Sequence, residues 1–278
     1  MNATQIHEKV QKQYGKIAKA GSSCCGGCGC STPDVAAKRV GANIGYSESE
    51  MDAVPEGSNL GLGCGNPTAL ASLSEGDTVL DLGSGAGFDC FLAAQKVGDT
   101  GRVIGVDMTP AMLERARANA EQGGYANVEF REGQIESLPV EDDAVDTIIS
   151  NCVINLSPDK PQVFREAHRA LKPGGRIFVS DIVLLRPLPW FLRRSMRLYS
   201  ACIAGALSKD DYLAAIEGAG LDEVEILGES AYSIDNLVDI AEFGAMVRVL
   251  AKISYFRRLA SSVVSLKVTA TKRPSASI

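Results

Sequence analysis

Sulfur dominates the chemical repertoire of this chain, which carries eight cysteines against two histidines in 278 residues. Four of them, Cys24, Cys25, Cys28 and Cys30, crowd into SSCCGGCGCS at 22–31, where Cys25 and Cys28 form a C-x-x-C. The others are dispersed: Cys64 in LGLGCGNP, Cys90 in FDCFLAA, Cys152 in SNCVINLSP and Cys202 in YSACIAGALS. The crowded arm fits a metal knot, a disulfide staple, a redox switch or a loose thiol arm, and its glycines keep it flexible. A dedicated zinc knot is disfavoured, because no second C-x-x-C follows at the usual distance. His7 and His168 stand away from every motif. That disfavours a histidine-built catalytic zinc and a general base of the usual kind, and leaves Asp and Tyr as candidate bases.

A second group of residues points to a nucleotide. Asp81-Leu82-Gly83-Ser84-Gly85-Ala86-Gly87 is a D-x-G-x-G-x-G run that ends one apolar segment, and Asp107 closes the next, VIGVD. A glycine turn between strand and helix lets backbone approach a ligand closely, and a carboxylate ending the second strand is placed to accept both ribose hydroxyls. The pyrophosphate loop of dinucleotide enzymes is missing and Asp81 is acidic, so a cationic nucleoside fits better than a phosphate. S-adenosylmethionine carries an adenosine, an ammonium and a sulfonium, and no phosphate. Asp81, Gly83, Ser84, Gly85, Gly87 and Asp107 are the residues expected to hold it.

These residues need a scaffold. Strand-like runs fall at 78–82, 102–107, 127–132, 145–151 and 176–181, with helical patterns between them at about 87–97, 110–122 and 159–171. Alternation of this kind implies parallel pairing through right-handed crossovers, hence a doubly wound α/β sheet. VDTIISN and RIFVSD are near-continuous apolar runs, as in strands covered on both faces. Before the sheet, residues 1–45 read as a helix, the cysteine arm and a polar connector, and 46–76 as an ordered loop leading into a helix at about 67–73. After 185, the segment from Trp190 to Tyr199 reads as helical, followed by a helix at 209–219 and strands near 223–228 and 263–271.

Composition narrows the function classes. With 45% hydrophobic and 22% charged residues the chain is globular in type, and a net charge of -6 argues against nucleic acid or an anionic membrane as partner. No run approaches the roughly 20 apolar residues of a membrane helix. The N-terminal MNATQIHEKVQKQYGKIAKA lacks the apolar stretch of a signal peptide and reads as an amphipathic helix with Ile6, Val10, Tyr14 and Ile17 on one stripe. The expected compartment is therefore the cytoplasm, where thiols stay reduced and eight cysteines point to soft-metal or redox chemistry.

Ligands bind outside the carboxyl ends of strands in an open α/β sheet. Cys152, just past the fourth strand, then sits at the mouth of the site, with Cys64 and Cys202 on segments able to fold over it. Cys90, on the first crossover helix, reads as a small buried hydrophobe. Three thiols around a methyl donor suit a thiophilic acceptor that brings its own lone pair. Trivalent arsenic is such a centre, with three thiolate bonds in a pyramid and a lone pair opposite, so catalysis would be mostly positioning.

The segments DLGSGAGFD, VDMTPAML, LPVEDDAVDTIISN and LKPGGR resemble class I S-adenosylmethionine-dependent methyltransferases. Together with NLGLGCGNPTALASL, ISNCVINLSPDK and CIAGAL, they resemble the arsenite methyltransferase family within that class over about 46–228. The resemblance implies a seven-stranded, mostly parallel Rossmann-like sheet whose last strand, VSLKVTA, is antiparallel. It divides the chain into an N-terminal helix and cysteine arm (1–45), a methyltransferase domain (46–228) and a C-terminal segment that completes the sheet (229–278). It implies Cys64, Cys152 and Cys202 as ligands of As(III), and an adenine contact from Gln134 and Ile135, where Gln134 stands in place of a common acid. Met108 and Asn151, at the ends of the second and fourth strands, join the candidate cofactor set. An N-terminal cysteine is implied to exchange with Cys64; the Cys24–Cys25 pair, and Cys25 in particular, is the expected partner. The implied activity is stepwise methylation of arsenite to mono-, di- and trimethylated products by a monomer, with thioredoxin or glutathione as reductant. Two alternatives stand beside it: methylation of another small metabolite with incidental cysteines, and a non-catalytic soft-metal thiolate protein.

Overall fold

Four apolar runs become the centre of one sheet. The structure is a computed structural model and describes residues 2–20, 33–231 and 261–274; the cysteine arm, with Cys24, Cys25, Cys28 and Cys30, lies outside the described residues. The chain begins with α1 (Ala3–Ala20), α2 (Pro33–Ile44), α3 (Glu48–Asp52) and the one-turn α4 (Pro67–Leu70). Then follow β1 (Thr78–Leu82), α5 (Phe88–Val97), β2 (Arg102–Asp107), α6 (Pro110–Gly123), β3 (Val128–Glu132), β4 (Val145–Asn151), α7 (Lys160–Ala170) and β5 (Leu171–Leu184). The short α8 (Trp190–Arg193) and α9 (Met196–Ser200) precede α10 (Lys209–Glu217), β6 (Leu221–Ala231) and β7 (Val263–Lys272).

The strands form a seven-stranded sheet in the order β3-β2-β1-β4-β5-β7-β6. β1, β2, β3, β4 and β5 are parallel, and β7 runs antiparallel between β5 and β6. The strand order reverses between β1 and β4, and such a switch point opens a crevice at the carboxyl ends of the strands. Alternating side chains of β1 divide between two cores. Leu80 and Leu82 join Ile148, Phe164 and Tyr212 on the face covered by α7 and α10. Val79 joins Phe91, Val103, Leu113 and Phe178 on the face covered by α5 and α6.

Several expectations are corrected. Most of the polar connector before residue 45 is α2, whose Ala37 is buried. The helix at 67–73 stops after one turn: Asn66 caps its start by accepting from Ala69 N at 2.9 Å, and Ala71 is already extended. The run from Trp190 to Tyr199 is two short helices, and Trp190 is largely exposed. β5 extends beyond 176–181 because β7 pairs with it from Arg176 to Leu184, a partner distant in sequence that local periodicity does not carry. Among the described residues no helix is long and apolar enough to cross a membrane.

Before the sheet, α1 lies over the carboxyl ends of β1 and β2. Gln11 Nε2 donates to Met108 O at 2.7 Å, and Arg115 of α6 donates to Ala18 O at 2.9 Å and Gly57 O at 2.9 Å. A cation on the last carbonyls of a helix satisfies acceptors that the helix leaves open.

Candidate active site

The cleft at the switch point is built from the turn after β1, the end of β2, the end of β4 and the inner face of α1. Gly83 makes the turn possible. Its φ is +68°, and a Cβ there would overlap the Val153 side chain. The next glycine, Gly85, donates its N–H to Asp107 Oδ2 at 3.0 Å, while Asp107 Oδ1 accepts from Thr109 N at 2.7 Å. Asp107 is thereby held at the end of β2, half-buried in the cleft wall, with lone pairs left over for hydroxyl donors. Ser84 Oγ, buried in the same wall, has no hydrogen-bond partner among the described residues.

The cleft is acidic. Asp81, Asp89, Asp107 and Glu136 line it, and His7 is the one basic side chain among its lining residues. Burial, reinforced by the Asp89 charge, pushes the Asp81 carboxyl well above its usual range, and the Cys90 thiol restrains it by donating at 3.2 Å. Burial likewise raises Asp89 to about 6 and lifts Asp107. Carboxylates crowded without Lys or Arg suit a ligand that brings positive charge, and an isolated phosphate would be repelled. The residues therefore fit S-adenosylmethionine.

Asn151 ties this cleft to the thiol loop. Its Nδ2 donates to Tyr46 Oη at 2.9 Å, Gly65 O at 2.8 Å and Asp89 Oδ2 at 3.2 Å, and its Oδ1 accepts from Cys64 N at 2.9 Å. Tyr46 in turn donates to Asp89 at 2.6 Å. Gly65 is required beside it, since a Cβ there would overlap Ser180 Oγ.

Cys64, Cys152 and Cys202 converge, at 5%, 6% and 4% exposure, within one apolar cluster with Val10, Leu156, Ile182, Leu188 and Ile203. Cys64 and Cys152 are joined as a disulfide across 88 positions, with Cα atoms 5.8 Å apart. That corrects the expectation of three reduced thiols: two of the three candidate ligands are in their oxidised form. Cys202 Sγ donates to Cys152 O at 2.6 Å. Both Cys152 and Cys202 have φ of +62°, in the left-handed region that non-glycine residues rarely occupy. Strained backbone of this kind clusters at working sites.

Beside the thiols lies a carboxylate. Asp181, within the buried stretch of β5, is fully buried; one of its oxygens and the sulfurs of Cys64 and Cys152 all lie within 4.8 Å of one another. Asp181 Oδ1 accepts from Asn155 Nδ2 at 2.7 Å and Ile182 N at 2.9 Å, and Oδ2 from Tyr212 Oη at 3.1 Å. Burial pushes its carboxyl up to about 7, opposed by these donors and by the Lys160 charge.

The structure brings Asp81, Gly83, Ser84, Gly85, Asp107, Met108, Ile135, Asn151 and Cys152 to one cleft. Cys64 and Cys202 stand beside it through Cys152. Gly87 caps the start of α5 behind the turn. Gln134 does not face the cleft: the 134–137 turn leaves it exposed on an adjoining groove, and Glu136 lines the cleft instead. Cys90 is buried as expected, yet its thiol also serves Asp81. His7, set aside at the sequence level, meets Glu136 Oε1 at 3.0 Å, across 129 positions, and Ser157 Oγ donates to the same oxygen at 2.5 Å. No local signal announces that contact. The run RIFVSD reads as ending at Asp181, but β5 continues to Leu184, so this carboxylate stands within the strand rather than at its end.

Comparison with known proteins bears on this geometry. Residues 73–220 match a family described as a methyltransferase domain. The chain is 46% identical over 230 residues to an arsenite methyltransferase of Halobacterium salinarum, covering 80% of this chain and 59% of that protein. It is 36% identical over 212 residues to an arsenite methyltransferase of Homo sapiens, covering 73% and 54%. It thus spans a little over half the length of these two relatives. Among solved structures, an arsenic(III) S-adenosylmethionine methyltransferase from Chlamydomonas reinhardtii superposes with a TM-score of 0.62 at 33% identity, over 89% of this chain and 76% of that one.

Proposed function

The chain belongs to the arsenite methyltransferase family, and from that premise we propose that it transfers methyl groups from S-adenosylmethionine to trivalent arsenic held by Cys64, Cys152 and Cys202. The observation that carries this reading is the convergence of three buried cysteines beside an acidic cleft that, among the described residues, no lysine or arginine lines.

S-adenosylmethionine, when bound, supplies an electrophilic methyl on positively charged sulfur. Asp107 would accept the ribose hydroxyls, the turn from Gly83 to Gly87 and Ile135 would hold the nucleoside, and Asp81 with Asp89 would meet the positive end. Asn151, bonded to Asp89 on one side and to Cys64 N on the other, sets the distance between donor and acceptor subsites. The apolar shell around the cysteines excludes water, so arsenic enters by exchanging hydroxide for thiolate: each thiol proton leaves with a hydroxide as water.

Methylation spends the arsenic lone pair and leaves arsenic formally pentavalent. Return to the trivalent state takes two electrons, which Cys64 and Cys152 can supply as their two As–S bonds break and their disulfide closes; the methylarsenic left on Cys202 takes hydroxide from water or thiolate from an incoming thiol, releasing a proton. A dithiol reductant of the thioredoxin type, or glutathione, reopens it in a reducing compartment, with an N-terminal cysteine such as Cys25 as exchange partner. The protein acts as a monomer.

The test uses purified protein, S-adenosylmethionine, thiol and arsenite, with arsenic species separated by chromatography. Methylated arsenic is expected from the wild type. Cys152→Ser and Cys202→Ser should each lower the rate by about 100-fold or more while S-adenosylmethionine affinity stays within about threefold, as fits loss of a ligand that positions the acceptor. Wild-type protein that yields no methylated arsenic, or serine variants that keep full activity, would overturn the reading.

A further inference from the structure

Asp181 takes no part in the chemistry described so far, yet its carboxylate has an oxygen within 4.8 Å of two of the cysteine sulfurs. It does not line the donor cleft, whose lining includes Cys152 but neither Cys64 nor Asp181.

The charge balance of the transfer gives such a group a task. Arsenic bound to three thiolates is neutral. The lone pair on arsenic forms the As–C bond, and the S–C bond of the donor breaks with its electron pair left on sulfur, which becomes neutral. One positive charge thereby passes from the donor cleft to the arsenic centre, into an apolar shell of Leu156, Ile182, Leu188 and Ile203. A cation placed among apolar side chains without a counter-charge is strongly disfavoured, and a fixed carboxylate nearby offsets that.

We propose that Asp181 is the counter-charge that stabilises methylated arsenic on the three cysteines, and hence a charge-stabilising residue for methyl transfer. Three donors hold the carboxylate in place before the charge arrives: Asn155 Nδ2, Ile182 N and Tyr212 Oη. Groups fixed in advance where charge develops need no reorganisation at the moment of reaction, which is the general source of electrostatic catalysis. Lys160, buried nearby with its Nζ on Ser157 O at 2.9 Å, interacts with Asp181 and tempers the field without reversing it.

This inference rests on the arsenic reading above, and one experiment separates the two. Wild type, Asp181→Asn and Tyr212→Phe are compared for single-turnover methylation of arsenite, for arsenite binding by loss of reactive thiols, and for S-adenosylmethionine binding by calorimetry. Asn keeps the shape and an acceptor while removing the charge; Phe removes one donor while keeping the charge. Asp181→Asn should slow methyl transfer by about 100-fold with both affinities within about threefold, the size associated with removal of one charge-stabilising group. Tyr212→Phe keeps the charge and two of its three donors, so it should slow transfer by about tenfold at most, well short of Asp181→Asn. If Asp181→Asn transfers methyl at the wild-type rate, or loses arsenite binding, the counter-charge role is wrong. If Tyr212→Phe slows transfer as much as Asp181→Asn, or as much as 100-fold where Asp181→Asn does not fold, the network is structural and the role is again wrong. A wild type that binds arsenite without methylating it defeats the arsenic reading itself.

Discussion

Two residues at the thiol site sit in backbone that their side chains disfavour. Cys152 and Cys202, each at φ +62°, are two of four non-glycine residues with positive φ among the described residues. A left-handed conformation costs an L-residue about 1–2 kcal/mol relative to glycine, so the strain is retained for what the thiols do. Cys202→Gly should accordingly be more stable than Cys202→Ala by about 1 kcal/mol in urea denaturation, although neither methylates arsenic. Equal stabilities would show that the turn carries no strain. Asn151 makes the complementary case, since all its polar capacity is used internally. Asn151→Leu leaves Cys64 N and Gly65 O without that partner and should destabilise the fold by about 2–3 kcal/mol, each buried orphan costing about 1–3. Its methylation rate should fall further than its S-adenosylmethionine affinity, because the residue spaces the thiols from the cleft.

At the scale of elements, α1 is the piece whose position matters most and whose own sequence says least about it. Its apolar stripe is plain, but what the stripe covers is not: Val10 enters the cysteine cluster, Ile17 packs with Met112, and Tyr14 donates to Ser200 O at 3.0 Å near Cys202. The helix thus roofs the cleft and braces the Cys202 turn, and it leads directly into the cysteine arm. Val10→Asp places an unpaired carboxylate in an apolar cluster, which undocks the helix rather than the sheet. Hydrogen exchange should show protection lost in α1 and kept in β1, β4 and β5, with S-adenosylmethionine affinity lowered by about tenfold. Loss of protection throughout the sheet would instead make α1 part of the global core.

For the whole molecule, buried carboxyls set the pH dependence of stability. Asp89 and Asp181 have folded-state values of about 6 and about 7 against roughly 3.9 when unfolded, raised first by burial. Between those limits the folded state binds more protons than the unfolded one, so their contribution is full below about pH 4 and is lost as pH rises through 6 and 7. His168, lowered by burial, acts in the opposite sense over part of that range, so the variant is compared with wild type. Melting temperature should fall between pH 5 and pH 8 more steeply in wild type than in Asp181→Asn; parallel curves would show that Asp181 does not titrate there. Much of this molecule was fixed locally. The parallel pairing of the first five strands, the glycine turn at Gly83, the strand-end carboxylate Asp107 and the dispersed cysteines follow from apolar runs, turn residues and strand ends, which act over a few residues. Tertiary structure decided the rest: the helix α2 after the cysteine arm, the length of β5 set by β7, Gln134 turned outward with Glu136 in its place, His7 over the cleft, and Asp181 beside the thiols. Each depends on which distant segments pack together. Closure across 88 positions for Cys64 and Cys152, or 129 for His7 and Glu136, is settled by the whole core rather than by any window of sequence.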